Sequence, residues 1–172
     1  MDDTQLKLEL ARWTARLAVA AWVFWVVLAL AGRGTVVRRG AWTAALGVYL
    51  VHVAWAFAHH GFSHAAAERA TAERTAELIG VAWGGGLWFN YVFTLVWIAD
   101  VAWWWIDRSG RERARRWATG VHVGFAVMFI NATLVFGPRG WWPAAVVAGV
   151  ILAVAWKRGR SIARDQPAEQ VE

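Results

Sequence analysis

Apolar residues in this chain come in long unbroken runs, not in the alternation of a surface strand or the one-sided stripe of a soluble helix. The runs cover Trp13 to Ala31, Trp42 to Ala58, Val81 to Ile106, Trp117 to Phe136 and Trp141 to Trp156. Each is near the ~20 residues that a helix needs to cross the hydrocarbon of a bilayer. Transmembrane strands would show segments of about ten residues alternating in polarity, and that pattern is absent. Lipid offers no partner to an unpaired backbone group, so spans of this kind must be helices. The pattern predicts an all-α integral membrane fold: a five-transmembrane-helix bundle forming a single domain over residues 1–160, followed by a polar C-terminal tail over 161–172.

Most predicted connections are short. Gly32 to Gly40 is basic and bounded by glycine, Asp107 to Arg116 is a charge run turning at Ser109-Gly110, and Gly137-Pro138-Arg139-Gly140 is a tight turn. Short links make successive helices antiparallel neighbours. The exception is His59 to Ile79, which is too polar to span. Its alanines and its closely spaced Arg and Glu residues favour a helical segment on the outer face between spans 2 and 3. Ser63 is its candidate N-cap, although Ala66 does not supply the acidic partner of a capping box.

Composition strengthens the membrane reading. The chain is 59% apolar, against roughly 45 to 50% in soluble domains, and its 15 Trp exceed what a globular core of this size needs. Trp favours the two membrane interfaces. Trp42, Trp103, Trp104, Trp105, Trp117 and Trp156 fall at one set of predicted span ends, and Trp13, Trp83, Trp141 and Trp142 at the other. The first span follows a charged leader and runs into Gly32-Arg33-Gly34 with no small-residue cleavage site, so it reads as retained rather than as a signal peptide.

Charge sets the expected orientation. Twelve Lys and Arg residues fall in the loops Gly32 to Gly40 and Asp107 to Arg116 and in the tail from Lys157, against six on the opposite side. The positive-inside rule then puts the N-terminus outside and the C-terminus in the cytoplasm. The predominance of Arg, with abundant Ala, Val and Trp, points to a prokaryotic cytoplasmic membrane. The net charge of +6 is spread over short loops with no soluble module to present it, which argues against a nucleic-acid partner.

Candidate chemistry rests on the polar residues within the runs. An ionisable group at the bilayer centre costs roughly 2.5 to 3.5 kcal/mol on insertion scales, so each needs a partner or a purpose. Asp100 in the third span and His122 in the fourth are expected at similar depth, about 8 Å below one interface by helical rise. They form either a hydrogen-bonded pair holding two helices or a carboxylate orienting an imidazole for a metal, haem iron or proton. Asn90 lies level with His52, and Asn131 is expected to bond to another helix.

The densest chemical signal is four histidines in thirteen residues: His52, His59, His60 and His64. His52 and His59 are two turns apart on one helical face. His60 and His64 stand at i and i+4, a spacing that can share one ion, with Glu68 continuing the stripe. Imidazole suits Zn, Cu or Fe alike. The multiple His boxes of membrane hydroxylases and desaturases are not matched, because there is only one cluster.

The leading expectation is therefore a transition metal ion or haem held by His52, His59, His60, His64 and Glu68 in the outer half of the bundle, for redox or metal-handling chemistry. The rivals are a proton-coupled transporter or proton relay through Asp100, His122, Asn90 and His52, and a membrane anchor subunit of a larger complex. The pairs Gly80/Gly84 and Gly120/Gly124 have the small-xxx-small spacing of close helix contacts, as in a homo-oligomer or membrane complex. No Cys is present, so thiol chemistry is excluded. Ser63, Ser109 and Ser161 lack a His and carboxylate arrangement for hydrolysis. The glycines at 84 to 86 lack the Lys of a phosphate-binding loop.

Overall fold

The computed structural model describes residues 2–107, 115–132, 140 and 142–164. Among the described residues the chain is all helix, with no strand: α1 (Asp3–Leu30), α2 (Thr35–His59), α3 (His64–Ile79), α4 (Gly86–Ile106), α5 (Arg115–Ile130) and α6 (Trp142–Arg164). Three helices, α1, α2 and α4, are long and apolar enough to cross a membrane, the mark of a membrane protein. Shorter apolar stretches of 117–130 and 145–155 lie in α5 and α6. The turns expected at Ser109-Gly110 and over Gly137 to Arg139, together with Thr133, Trp141 and the tail beyond Arg164, lie outside the described residues.

The helices differ from the apolar runs in instructive ways. α1 begins ten residues before Trp13, because Asp2 caps it by accepting from the Gln5 amide at 2.7 Å and Lys7–Asp3 and Arg12–Glu9 pairs line its first turns. α3 confirms a helical segment between the second and third runs, with Ser63 Oγ accepting from the Ala66 amide at 3.3 Å. The third run does not begin as a helix at Val81. Gly80 ends α3 in the left-handed region at φ 77°, and α4 starts only at Gly86. Glycine alone takes that φ without strain. Gly80 and Gly84 therefore do not form one helical face, which corrects the expected small-xxx-small pair.

α1 and α2 form an antiparallel hairpin in constant register. The Trp25 indole donates to the Arg38 carbonyl, His52 to the Ala11 carbonyl and His59 to the Thr4 carbonyl, and in all three pairs the residue numbers add to 63. α4 returns antiparallel to α2, tied by Tyr49–Thr94 hydroxyls at 2.9 Å and by the Trp105 indole donating to Thr43 Oγ1 at 2.9 Å. α5 packs against α4 through Phe93–Phe125 rings 4.2 Å apart and against α1 through Trp22–Phe129 rings 5.3 Å apart. α6 lies against α1.

The core where α1, α2, α4 and α5 meet is aromatic. Trp42, Trp97 and Phe125 are fully buried, with Trp25, Tyr49, Phe93 and Phe129 around them. Outward faces carry Leu17, Phe24, Phe89, Leu95, Val127 and Val146, a surface fit for lipid and not for water. Between helices already in lipid the hydrophobic effect gives little drive, so packing and interhelical hydrogen bonds hold the bundle. Interlocked rings suit that role, each favourable pair adding about 0.5–1.5 kcal/mol. This also revises the reading of Trp42 as an interfacial anchor, since its indole is at the centre of the core.

Candidate functional site

The polar side chains fall into two groups at opposite ends of α2. The first surrounds Asp100, one turn and a half before the end of α4. Its carboxylate is fully buried and accepts two indole N–H groups, Trp42 to Oδ2 at 2.8 Å and Trp117 to Oδ1 at 2.9 Å. One side chain thus joins α2, α4 and α5. His122 of α5 lies in the same cage, stacked on Trp25 at 4.1 Å and edge-on to Trp42 at 4.9 Å. Trp42 therefore touches both residues that the sequence places at one depth. Beside the cage, the Arg39 guanidinium lies 4.1 Å over the Trp105 ring and donates to the Trp104 carbonyl at 3.3 Å.

The second group lies where α2 ends and α3 begins. His64 shares a hydrogen bond with the Tyr91 hydroxyl through Nδ1 at 2.9 Å, and its Nε2 is 3.8 Å from Glu68 Oε2 one turn along α3. Tyr91 stacks on both His64 and Phe57, and Trp88 meets His64 edge-on. α3 can press this close to α4 because residue 84 is glycine. A Cβ there would lie 2.6 Å from Glu68 Cγ and 2.9 Å from the Glu68 carbonyl oxygen.

The remaining histidines face elsewhere. His52 Nδ1 lies 2.9 Å from the Ala11 carbonyl and His59 Nδ1 lies 3.3 Å from the Thr4 carbonyl. A carbonyl only accepts, so both rings carry a proton on Nδ1 and keep Nε2 for another partner. His59 and His60 meet edge-on at 4.9 Å. Burial holds the His60 imidazole below its ordinary pKa, and the neighbouring His59 adds to that. Asn90 is exposed, and its carbonyl accepts from Thr94 Oγ1 at 2.7 Å. Asn131 is likewise exposed.

Among the described residues, no three His, Asp or Glu side chains converge on a common point. The structure brings His64 together with Glu68, and His59 with His60, while His52 is directed at α1. Sequence reading missed Tyr91, which positions His64, and Trp117, which shares Asp100. Neither carries a motif. Tyr91 follows Asn90 by one residue and so stands about 100° around the helix, toward α3.

Comparison with known proteins gave no match to a family model, to a curated protein or to a solved structure.

Proposed function

We propose that the chain is a five-span bundle of a prokaryotic cytoplasmic membrane, N-terminus outside, whose histidine-bearing outer end handles a transition-metal ion. His64 and Glu68 are the protein donors. The observation that carries this reading is their approach, 3.8 Å between Nε2 and Oε2 on successive turns of α3, with the opposite ring nitrogen of His64 fixed by Tyr91 at 2.9 Å. An imidazole that binds a metal through one nitrogen characteristically anchors the other in a hydrogen bond. Two protein donors leave coordination positions for water or cargo, which fits capture or activation better than a closed structural site.

Equilibrium dialysis of detergent-purified protein against Zn, Co and Cu tests it. Wild type is expected to bind one ion per chain. His64→Ala and Glu68→Gln abolish binding, Tyr91→Phe weakens it about 10- to 100-fold as loss of a supporting hydrogen bond does, and Asp100→Asn leaves it unchanged. Wild-type protein that is folded and binds no metal overturns the reading.

One observation favours a proton relay as the second reading: Asp100 is a fully buried carboxylate within a span. Tyr49 and His52 further along α2, with Thr94 of α4 bonded to Tyr49, would extend it. Fully buried Trp97 stands between them, tilted against Trp42 at one side and stacked on Tyr49 at the other, so conduction requires that this ring move. Proton flux into liposomes that is lost in His122→Ala supports this reading, and a tight, non-conducting wild type removes it.

A further inference from the structure

A groove of about 960 Å³ opens between α1, α5 and α6, and no residue of either polar group lines it. Its walls are apolar, with Trp22, Phe24, Phe129 and Leu152 among them, and among the described residues the lining contains one ionisable side chain, Arg16. The guanidinium of Arg16 is held 4.3 Å over the Trp13 ring, an arrangement that steadies a cation at an apolar boundary. From Arg16 to Val27 the groove follows α1 for about 16 Å by helical rise. One leaflet of hydrocarbon is about 15 Å deep, half of the ~30 Å core. The trough is thus as long as one leaflet's acyl chain, with positive charge at one end.

We propose that this groove binds an anionic phospholipid, one acyl chain lying between α1 and α6 and the phosphate at Arg16. Basic residues between transmembrane helices recognise acidic lipid headgroups in this way, and the volume is near the upper end of the range for small-molecule sites. Trp22 adds a second sign of an incomplete wall: its indole N–H is buried and has no acceptor among the described residues. Gly149 gives a clean means of blocking the groove, because it lines the cavity and a Cβ added there meets nothing within 4 Å. This inference is independent of the metal reading.

The test is native mass spectrometry of protein released from nanodiscs containing equal phosphatidylglycerol and phosphatidylcholine. Wild type is expected to retain one phosphatidylglycerol per chain, at least tenfold over phosphatidylcholine. Gly149→Leu, which fills the trough, abolishes retention of either lipid, and Ala20→Leu does the same from the opposite wall. Arg16→Gln keeps a lipid but loses the preference. Helical content by circular dichroism identifies which variants are folded. Absence of retained lipid, equal retention of the two lipids by wild type, unchanged retention in a folded filled variant, or a lipid-free dimer covering this face overturns the proposal.

Discussion

The indole N–H of Trp42 donates to the carboxylate of Asp100 at 2.8 Å, and both side chains are fully buried. The bond joins residues 58 positions apart and is buried within the span. With Trp117 on the other carboxylate oxygen, Asp100 accepts from helices on either side of its own.

Asp100→Ala removes both acceptors and leaves two indole donors without them, which costs about 1–3 kcal/mol for each buried donor left unsatisfied. Asp100→Asn keeps one carbonyl acceptor and is expected to lose less. Thermal unfolding in detergent should rank wild type above Asn and Asn above Ala. Pairing Asp100→Ala with Trp42→Phe should recover part of the loss, giving a coupling of about 0.5–3 kcal/mol as for residues in one network.

Gly84→Val places a side chain against the Glu68 backbone, where even a Cβ would approach the carbonyl oxygen to 2.9 Å. Overpacking of this kind costs about 1–3 kcal/mol. The expected result is that α3 lifts from α4, with faster proteolysis between Ser63 and Gly80. Gly47→Ala, in the middle of α2 with open space around the added atom, should be neutral or stabilising by up to about 1 kcal/mol from helix propensity.

His60 predicts a pH dependence at the end of α2. Its folded-state pKa lies below the ordinary value of 6.5, so the unfolded chain takes up the proton first. The His60 contribution to stability is therefore intact above 6.5 and declines as pH falls below it. A pH series of unfolding transitions should show this decline in wild type and a shallower one in His60→Gln. An equal decline in both would assign it to other groups.

The ring proton of His52 is on Nδ1, because its partner is a carbonyl oxygen. Nitrogen-15 spectra of labelled protein should show that tautomer whenever the ring is neutral. His52→Phe should keep the hairpin, since the Trp25–Arg38 and His59–Thr4 bonds remain and the Ala11 carbonyl still accepts from Thr14 Oγ1 of its own helix at 3.1 Å. Partial compensation of this kind limits the expected loss to about 1 kcal/mol, near the mean for one hydrogen bond.

Helix content and the membrane environment were legible from the apolar runs, because burial in lipid demands length and low polarity of each segment separately. The interruption at Gly80 was not. The run from Val81 to Ile106 is apolar throughout, and hydropathy does not register a left-handed residue or the close seat of α3 on Gly84. Trp42 shows a second limit. Interfacial and core tryptophans have the same composition signal, and burial in the assembled bundle tells them apart: Trp42 is fully buried, whereas Trp117, which shares Asp100 with it, is exposed. The histidine cluster illustrates a third: spacing puts His52 and His59 on one face, but which helix covers that face is a property of assembly. That face is turned to α1 and not to His64.

The constant register of α1 with α2 bears on how the chain is made. All its ties join residues within the first 59 positions across a four-residue turn, so this hairpin can complete itself during synthesis while the later helices are still in the ribosome. Local pairing of this kind forms early because little chain must be closed to make it. The acidic side chain of α4 would then arrive at a bilayer in which Trp42 already stands waiting, and the difficult insertion of a carboxylate becomes the docking of a late segment onto a finished receptor.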